Sequence, residues 1–218
     1  MIFSEPTLET QRQQMVRVQL AERGIRDQRV LAAMGAVPRH EFVPEDARAR
    51  AYEDHPLAIG EGQTISQPYI VAAMLEHLEL RAADRVLEVG TGSGYVTALL
   101  AMLCAEAFSV ERYASLAASA EARLRRLGYG RVKIKVGDGS LGWTEYAPFD
   151  AILVSAATGE VPPALFEQLG EGGRMVIPVG SYWSQELQLI SKIGGKPAVQ
   201  LLEGCRFVPL VEGTVADG

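Results

Sequence analysis

Arg85-Val86-Leu87-Glu88-Val89-Gly90-Thr91-Gly92-Ser93-Gly94-Tyr95 decides the fold of this 218-residue chain. Arg85 to Val89 is a run of strand formers that stops abruptly at Gly90, Gly92 and Gly94, and the apolar, helix-compatible stretch Val96 to Leu103 follows at once. Strand, glycine turn and helix in that order present a helix N-terminus and bare backbone N–H groups to a ligand. Glycine takes positive φ without steric cost and lets a ligand approach the main chain closely.

The spacing separates ligand classes. A dinucleotide fingerprint would need its third glycine at position 95, which is Tyr95, and no phosphate-cradling G-x-x-x-x-G-K-[ST] occurs. The form E-x-G-x-G-x-G, with Glu88 two residues ahead of Gly90, resembles motif I of the S-adenosylmethionine-dependent methyltransferases. Ala107–Val110 reads as the next strand and ends at Glu111, where an acidic side chain accepts hydrogen bonds from a ribose diol in this architecture. The plainer reading of Glu111 is a solvated charge opening the helix Arg112–Leu127. Gly137-Asp138-Gly139 follows the strand Val132–Val136; Asp138 there either holds an adenine amino group or starts a turn.

Composition narrows the field. With 48% hydrophobic and 22% charged residues the chain is globular, and its length suits one domain with a sizeable core. A net charge of −6 disfavours nucleic acid as a general partner, because phosphate binding needs a basic face. Met1–Gln14 has no apolar run of the secretory kind, and no apolar stretch approaches membrane-spanning length. Cys104 and Cys205 lie far apart with no C-x-x-C and read as reduced thiols of a cytoplasmic protein, and His40, His55 and His77 show no metal-ligand spacing. No metal is expected.

Ahead of the core, Leu8–Arg23 fits an amphipathic helix stopped by Gly24, and Asp27 caps a second helix through Met34 that ends at Gly35. Val37–Pro44 reads as an irregular packed connection. Tyr52–Tyr69 has two glycines, two prolines and little helical or strand period; a loop this long in a compact domain is usually functional. Ser66 precedes Pro68, and spacing alone favours it as the cap of a helix running to about Leu80. From Arg85 onward strands (Arg85–Val89, Ala107–Val110, Val132–Val136, Ala151–Ser155, Arg174–Pro178) alternate with helices (Tyr95–Leu103, Arg112–Leu127, Pro163–Leu169). The fold class is therefore α/β: a Rossmann-like, mostly parallel sheet behind an N-terminal helical layer. Short strand-like pieces at Glu186–Ser191, Val199–Leu202 and Arg206–Leu210 predict an antiparallel C-terminal end. A single domain is expected, with the helical layer and loop in residues 1–80, the binding core in 81–180 and terminal strands in 181–218.

Taken together these stretches resemble the bacterial-type protein-L-isoaspartate O-methyltransferases over nearly the whole chain. The carrying residues are Val37-Pro38-Arg39-His40 with Phe42-Val43-Pro44, Gly62-Gln63-Thr64-Ile65-Ser66-Gln67-Pro68-Tyr69, Val86 to Tyr95, Gly137-Asp138-Gly139, Ala147-Pro148-Phe149-Asp150 and Phe207-Val208-Pro209-Leu210. The resemblance implies methyl transfer from S-adenosyl-L-methionine, leaving S-adenosyl-L-homocysteine, to the free α-carboxylate of L-isoaspartyl residues in damaged proteins and peptides. It implies Ser66 as the active-site serine, orienting the carboxylate by hydrogen bonding, and Gln63, Thr64, Ile65 and Ser66 beside the substrate. It places Glu88, Gly90, Gly92, Ser93, Gly94, Glu111, Asp138 and Gly139 on the cofactor site, and implies a cytoplasmic, monomeric enzyme without membrane or nucleic-acid partners. Eukaryotic relatives have a His and a Thr where this chain has Val71 and Val211, so any cofactor contact made by those side chains is absent here. Two other readings keep the glycine loop: methylation of a small-molecule acid, and a binding domain without turnover.

Overall fold

The computed structural model of the protein describes residues 7–181 and 183–213. Its framework is a seven-stranded sheet in the order β5-β4-β3-β6-β7-β8-β9. The strands are β3 (Arg85–Val89), β4 (Glu106–Glu111), β5 (Val132–Val136), β6 (Phe149–Val154), β7 (Leu169–Gly180), β8 (Gln185–Ile193) and β9 (Lys196–Cys205). β3 to β7 pair in parallel, whereas β7–β8 and β8–β9 are antiparallel. Helices α4 (Tyr95–Leu103), α5 (Ala114–Arg126) and α6 (Pro163–Gln168) lie along the parallel half.

The strand order reverses at β3, which has β4 on one side and β6 on the other. Ligands of open α/β sheets bind at the carboxyl ends of strands at such a switch point. The glycine loop leaves β3 there.

Side chains alternate across the central strands as a period of two requires. Val86, Leu153 and Val176 face a core shared with the N-terminal helices, whereas Leu87, Ile152, Val154 and Met175 face a second core around Phe108, Trp143 and Phe149. The N-terminal layer comprises α1 (Leu8–Gln14), α2 (Gln28–Ala36) and α3 (Pro68–His77). Met15, Leu20, Met34, Phe42 and Leu75 are fully buried or nearly so between that layer and the sheet.

Several boundaries differ from the sequence expectation. The first helix is α-helical only to Gln14; it continues as a π-helical stretch over Met15–Leu20 and a 3₁₀ turn over Ala21–Arg23 before Gly24 (φ 111°) ends it. Asp27 does cap α2, accepting hydrogen bonds from Arg29 N and Val30 N, but the helix runs through Gly35 to Ala36. The long segment before α3 is not structureless. It contains an antiparallel hairpin, β1 (Leu57–Gly60) and β2 (Gln63–Ile65), closed by Glu61 (φ 51°) and Gly62 (φ 67°). Positive φ at both central residues is the turn that matches strand twist. Arg206–Leu210 is not a strand: this segment turns back over the sheet, where Val208 O accepts from Ala157 N (2.8 Å) and Leu210 N donates to Ala157 O (2.6 Å).

Ser66 does not cap α3. The capping position is Gln67, whose side chain makes no cap hydrogen bond. Asp54 serves the helix end instead, its carboxylate accepting from Tyr69 N (3.3 Å) and from Gln67 Nε2 (2.8 Å). Arg23 ion-pairs with Asp54 and lies 3.8 Å over the Tyr69 ring, tying the first helical segment to the start of α3. The Ser66 hydroxyl makes no hydrogen bond among the described residues and is left available.

Candidate active site

The glycine loop is shaped by backbone geometry and by what lies against each glycine. Gly90, Gly92 and Gly94 all have positive φ (93°, 53° and 87°). A Cβ on Gly92 would sit 3.3 Å from Ile59 Cδ1, so the absent side chain lets the β1–β2 hairpin close over the loop. A Cβ on Gly94 would meet Ala120 Cβ and Leu124 Cδ1 at 3.2 Å, so this glycine seats α5 against the loop.

Glu111 holds the loop from below. It is 5% exposed; its Oε2 accepts from Gly92 N (2.8 Å) and its Oε1 from Tyr113 N (2.9 Å). The carboxylate is therefore the buried end of β4, and α5 begins three residues later at Ala114. The solvated-charge reading of Glu111 fails on that burial.

Glu88 is fully buried under the same loop. Its Oε2 accepts from Thr97 Oγ1 (2.5 Å) and Ser109 Oγ (2.7 Å), while Oε1 has no partner among the described residues. Because Ser109 donates to Glu88, the 2.6 Å contact between Thr91 Oγ1 and Ser109 Oγ has Thr91 as donor. Burial pushes the Glu88 carboxyl up to about 8, against the opposing pull of the two hydroxyls.

These residues wall one cavity. It is lined by Glu88, Gly90, Gly92, Ser93, Glu111 and Gly139, and on its far side by Gln63, Thr64, Ile65 and Ser66 of the hairpin. Twelve residues predicted for the site are thus resolved into ten on the cavity wall and two off it. Gly94 packs behind the loop, and Asp138 caps a 3₁₀ turn over Gly139–Leu141, accepting from Ser140 N (2.9 Å), Ser140 Oγ (2.7 Å) and Gly213 N (2.5 Å). Burial raises the Asp138 carboxyl, but these donors together draw it below the ordinary range. Tyr95, at the missing third glycine, is 1% exposed, stacks edge-on to Phe42 at 5.5 Å and donates to Met34 Sδ. It anchors the helical layer to α4.

Other parts of the wall had no predicted site role, although the resemblance marks Val211 as a place where a relative's cofactor contact is lost. Val208, Pro209, Leu210 and Val211 close one side from the returning C-terminal segment, so Val211 faces the cavity, whereas Val71 is buried in the core of α3 and does not. Ser155 and Ala156 follow β6. Arg112 lines the cavity with Nε and Nη1 buried and without a hydrogen-bond partner among the described residues. A charged residue beside Glu111 was visible in the sequence; its inward turn was not.

A second groove adjoins the first. It is bounded by Arg23, Pro56, Tyr69, Ile70 and Phe207, and it shares Thr64, Ser66, Ser155, Val208 and Pro209 with the glycine-loop cavity. Ser66 thus stands in the common wall. Among the described residues no cluster of His, Cys, Asp and Glu could hold a metal ion, and no helix is long and apolar enough to cross a membrane.

The chemistry of the donors and acceptors fits S-adenosylmethionine. An orphaned acceptor on Glu88 and orphaned donors on Arg112 face one cavity, and the cofactor carries both cationic groups and a carboxylate. Known proteins agree. Residues 10–215 match the family model described as Protein-L-isoaspartate(D-aspartate) O-methyltransferase. A protein-L-isoaspartate O-methyltransferase of Opitutus terrae is 56% identical over 200 residues, covering 91% of this chain and 86% of the relative. A Plasmodium falciparum structure described under the same family name, in complex with S-adenosyl-L-homocysteine, superimposes with a TM-score of 0.81 at 29% identity, covering 92% of this chain and 98% of its own. A longer solved protein-L-isoaspartate O-methyltransferase gives a TM-score of 0.83 at 31% identity, over 91% of this chain and 65% of that one. With nearly the whole chain matched and the glycine loop, its acidic floor and the Ser66 hairpin in one cavity, this chain belongs to the protein-L-isoaspartate(D-aspartate) O-methyltransferase family.

Proposed function

We propose that this chain methylates the free α-carboxylate of L-isoaspartyl residues in damaged proteins and peptides, with Ser66 orienting the acceptor. The observation that carries the reading is the placing of Thr64 and Ser66 in the wall shared by the glycine-loop cavity and the adjoining groove. A peptide in the groove meets the cofactor cavity across this wall, whose hydroxyls are those of Thr64, Ser66 and Ser155.

S-adenosylmethionine, when bound, supplies an electrophilic methyl group on a sulfonium. The Gly90–Ser93 loop gives it a floor of main chain, which Glu111 keeps in shape through Gly92 N. Glu111 also retains lone pairs for a ribose diol, while Glu88 and Arg112 face its charged end. The acceptor carboxylate has an ordinary pKa near ~4 and needs no base to ionise it at neutral pH. What the site must provide is alignment and exclusion of water. Ser66 does the first through a free hydroxyl, and the hairpin packed on Gly92 through Ile59 does the second. Asp138 and Gly94 act one step back, holding Gly139 and α5.

In the same reading the chain works as a single domain and a monomer in the cytoplasm, on polypeptide and not on nucleic acid; the net charge of −6 supports the last point. The test is methyl transfer from labelled S-adenosylmethionine to two peptides that differ only in L-isoaspartate against L-aspartate. Base-labile methyl ester on the isoaspartyl peptide alone is expected. Equal labelling of both peptides, or none, overturns the reading.

A further inference from the structure

We propose that Glu88 is uncharged in the free enzyme and gives up its proton to solvent when the cationic cofactor enters the glycine-loop cavity, so that cofactor binding is coupled to proton release. The inference rests on the cofactor reading of that cavity.

The geometry points to a neutral carboxyl. Glu88 is fully buried; among the described residues its Oε1 has no partner, and its Oε2 takes hydrogen bonds only from the neutral hydroxyls of Thr97 on α4 and Ser109 on β4. Among the described residues no Lys, Arg or His forms an ion pair with it. Beside it on β6 the register partner is the apolar Leu153. The charged groups nearby are Glu111 at the end of β4, of the same sign, and Arg112, which lines the cavity without contacting Glu88. A buried carboxylate without a cationic partner protonates instead of staying ionised. Burial accordingly raises its pKa to about 8.

The cavity is where a cation can reverse this. Both Glu88 and Thr91, which donates through Ser109 to Glu88, line it. An opposite charge within about 4–6 Å lowers a carboxyl pKa by roughly 1–3 units, enough to ionise Glu88 at neutral pH. The O–H bond of Glu88 breaks, the proton passes to buffer, and the carboxylate that remains balances the cation. Cofactor affinity then rises with pH by at most about tenfold per unit up to the free-enzyme pKa, and levels off above it.

The experiment is calorimetric titration with S-adenosylmethionine and with S-adenosylhomocysteine at pH 6.5, in phosphate and in Tris. At that pH the α-amino group of either ligand, with an ordinary pKa near ~8, is already mostly protonated. Binding enthalpies that differ between buffers by the release of up to about one proton are expected, with the difference lost in Glu88→Gln. Release with both ligands identifies the ammonium as the cation; release with S-adenosylmethionine alone identifies the sulfonium. Infrared difference spectra of the wild type give a second readout: a protonated-carboxyl band in the free enzyme that disappears on binding. Binding without release, release unchanged in Glu88→Gln, or no such band overturns the proposal while leaving the cavity a cofactor site. No heat of binding with either ligand overturns the cofactor reading as well.

Discussion

The Glu111 carboxylate accepts the Gly92 N–H at 2.8 Å, so the tip of β4 holds the middle glycine of the loop that leaves β3. In the proposed cofactor reading one side chain then serves loop shape and ligand contact together. Glu111→Ala removes both, and leaves the half-buried N–H groups of Gly92 and Tyr113 without this partner. Loss of hydrogen bonding to a charged group is worth about 1.5–3 kcal/mol, roughly ten- to a hundredfold in cofactor affinity. Calorimetry with S-adenosylhomocysteine measures it; unaltered affinity removes Glu111 from the site.

Gly94 gives the opposite pattern. Its φ of 87° and the 3.2 Å approach of Ala120 and Leu124 make Gly94→Ala strained twice over, by backbone and by contact. We expect destabilisation of about 1–3 kcal/mol, read as a fall in Tm, with cofactor affinity of the folded fraction little changed. A variant that keeps its Tm but loses affinity places Gly94 in the ligand site.

How much of this was legible beforehand depended on range. The glycine loop, the alternation of parallel strands and helices, and the Asp27 cap are written in neighbouring residues, and all appear close to where period and punctuation put them. The β1–β2 hairpin was hidden because its strands are four and three residues long and its turn forces Glu61, a non-glycine, to positive φ. The cap of α3 misled because Ser66 is adjacent in sequence, whereas Asp54 arrives through a fold of the loop. Arg112 and Val208–Val211 reach the cavity by tertiary packing, for which one sequence carries no local signal.

Burial of Glu88 has a consequence for stability without cofactor. Its folded pKa of about 8 lies above the ordinary carboxyl value of 4.5, so the folded state holds the proton more tightly than the unfolded chain. The stability this group contributes is fully present below pH 4.5 and is lost as pH rises through about 8, with a slope of at most about 1.4 kcal/mol per pH unit. Glu88→Gln, which cannot ionise, is expected to flatten that slope and to raise Tm relative to wild type at pH 8. Parallel stability profiles for the two proteins between pH 5 and 8 contradict a buried neutral Glu88.

Ser66 separates positioning from folding most cleanly. Its hydroxyl makes no hydrogen bond among the described residues, and the end of α3 is served by Asp54, so Ser66→Ala leaves no buried donor or acceptor unpaired. Tm and cofactor affinity are therefore expected to stay as in wild type. Turnover of an isoaspartyl peptide is expected to fall about ten- to a hundredfold, the scale of one hydrogen bond to a carboxylate. Ser66→Thr keeps the hydroxyl in the wall between cavity and groove and is expected to recover part of that loss. Unchanged turnover in the alanine variant would leave Ser66 a spacer between two cavities, and the orienting role would pass to Thr64 or Ser155, the other hydroxyls in the shared wall.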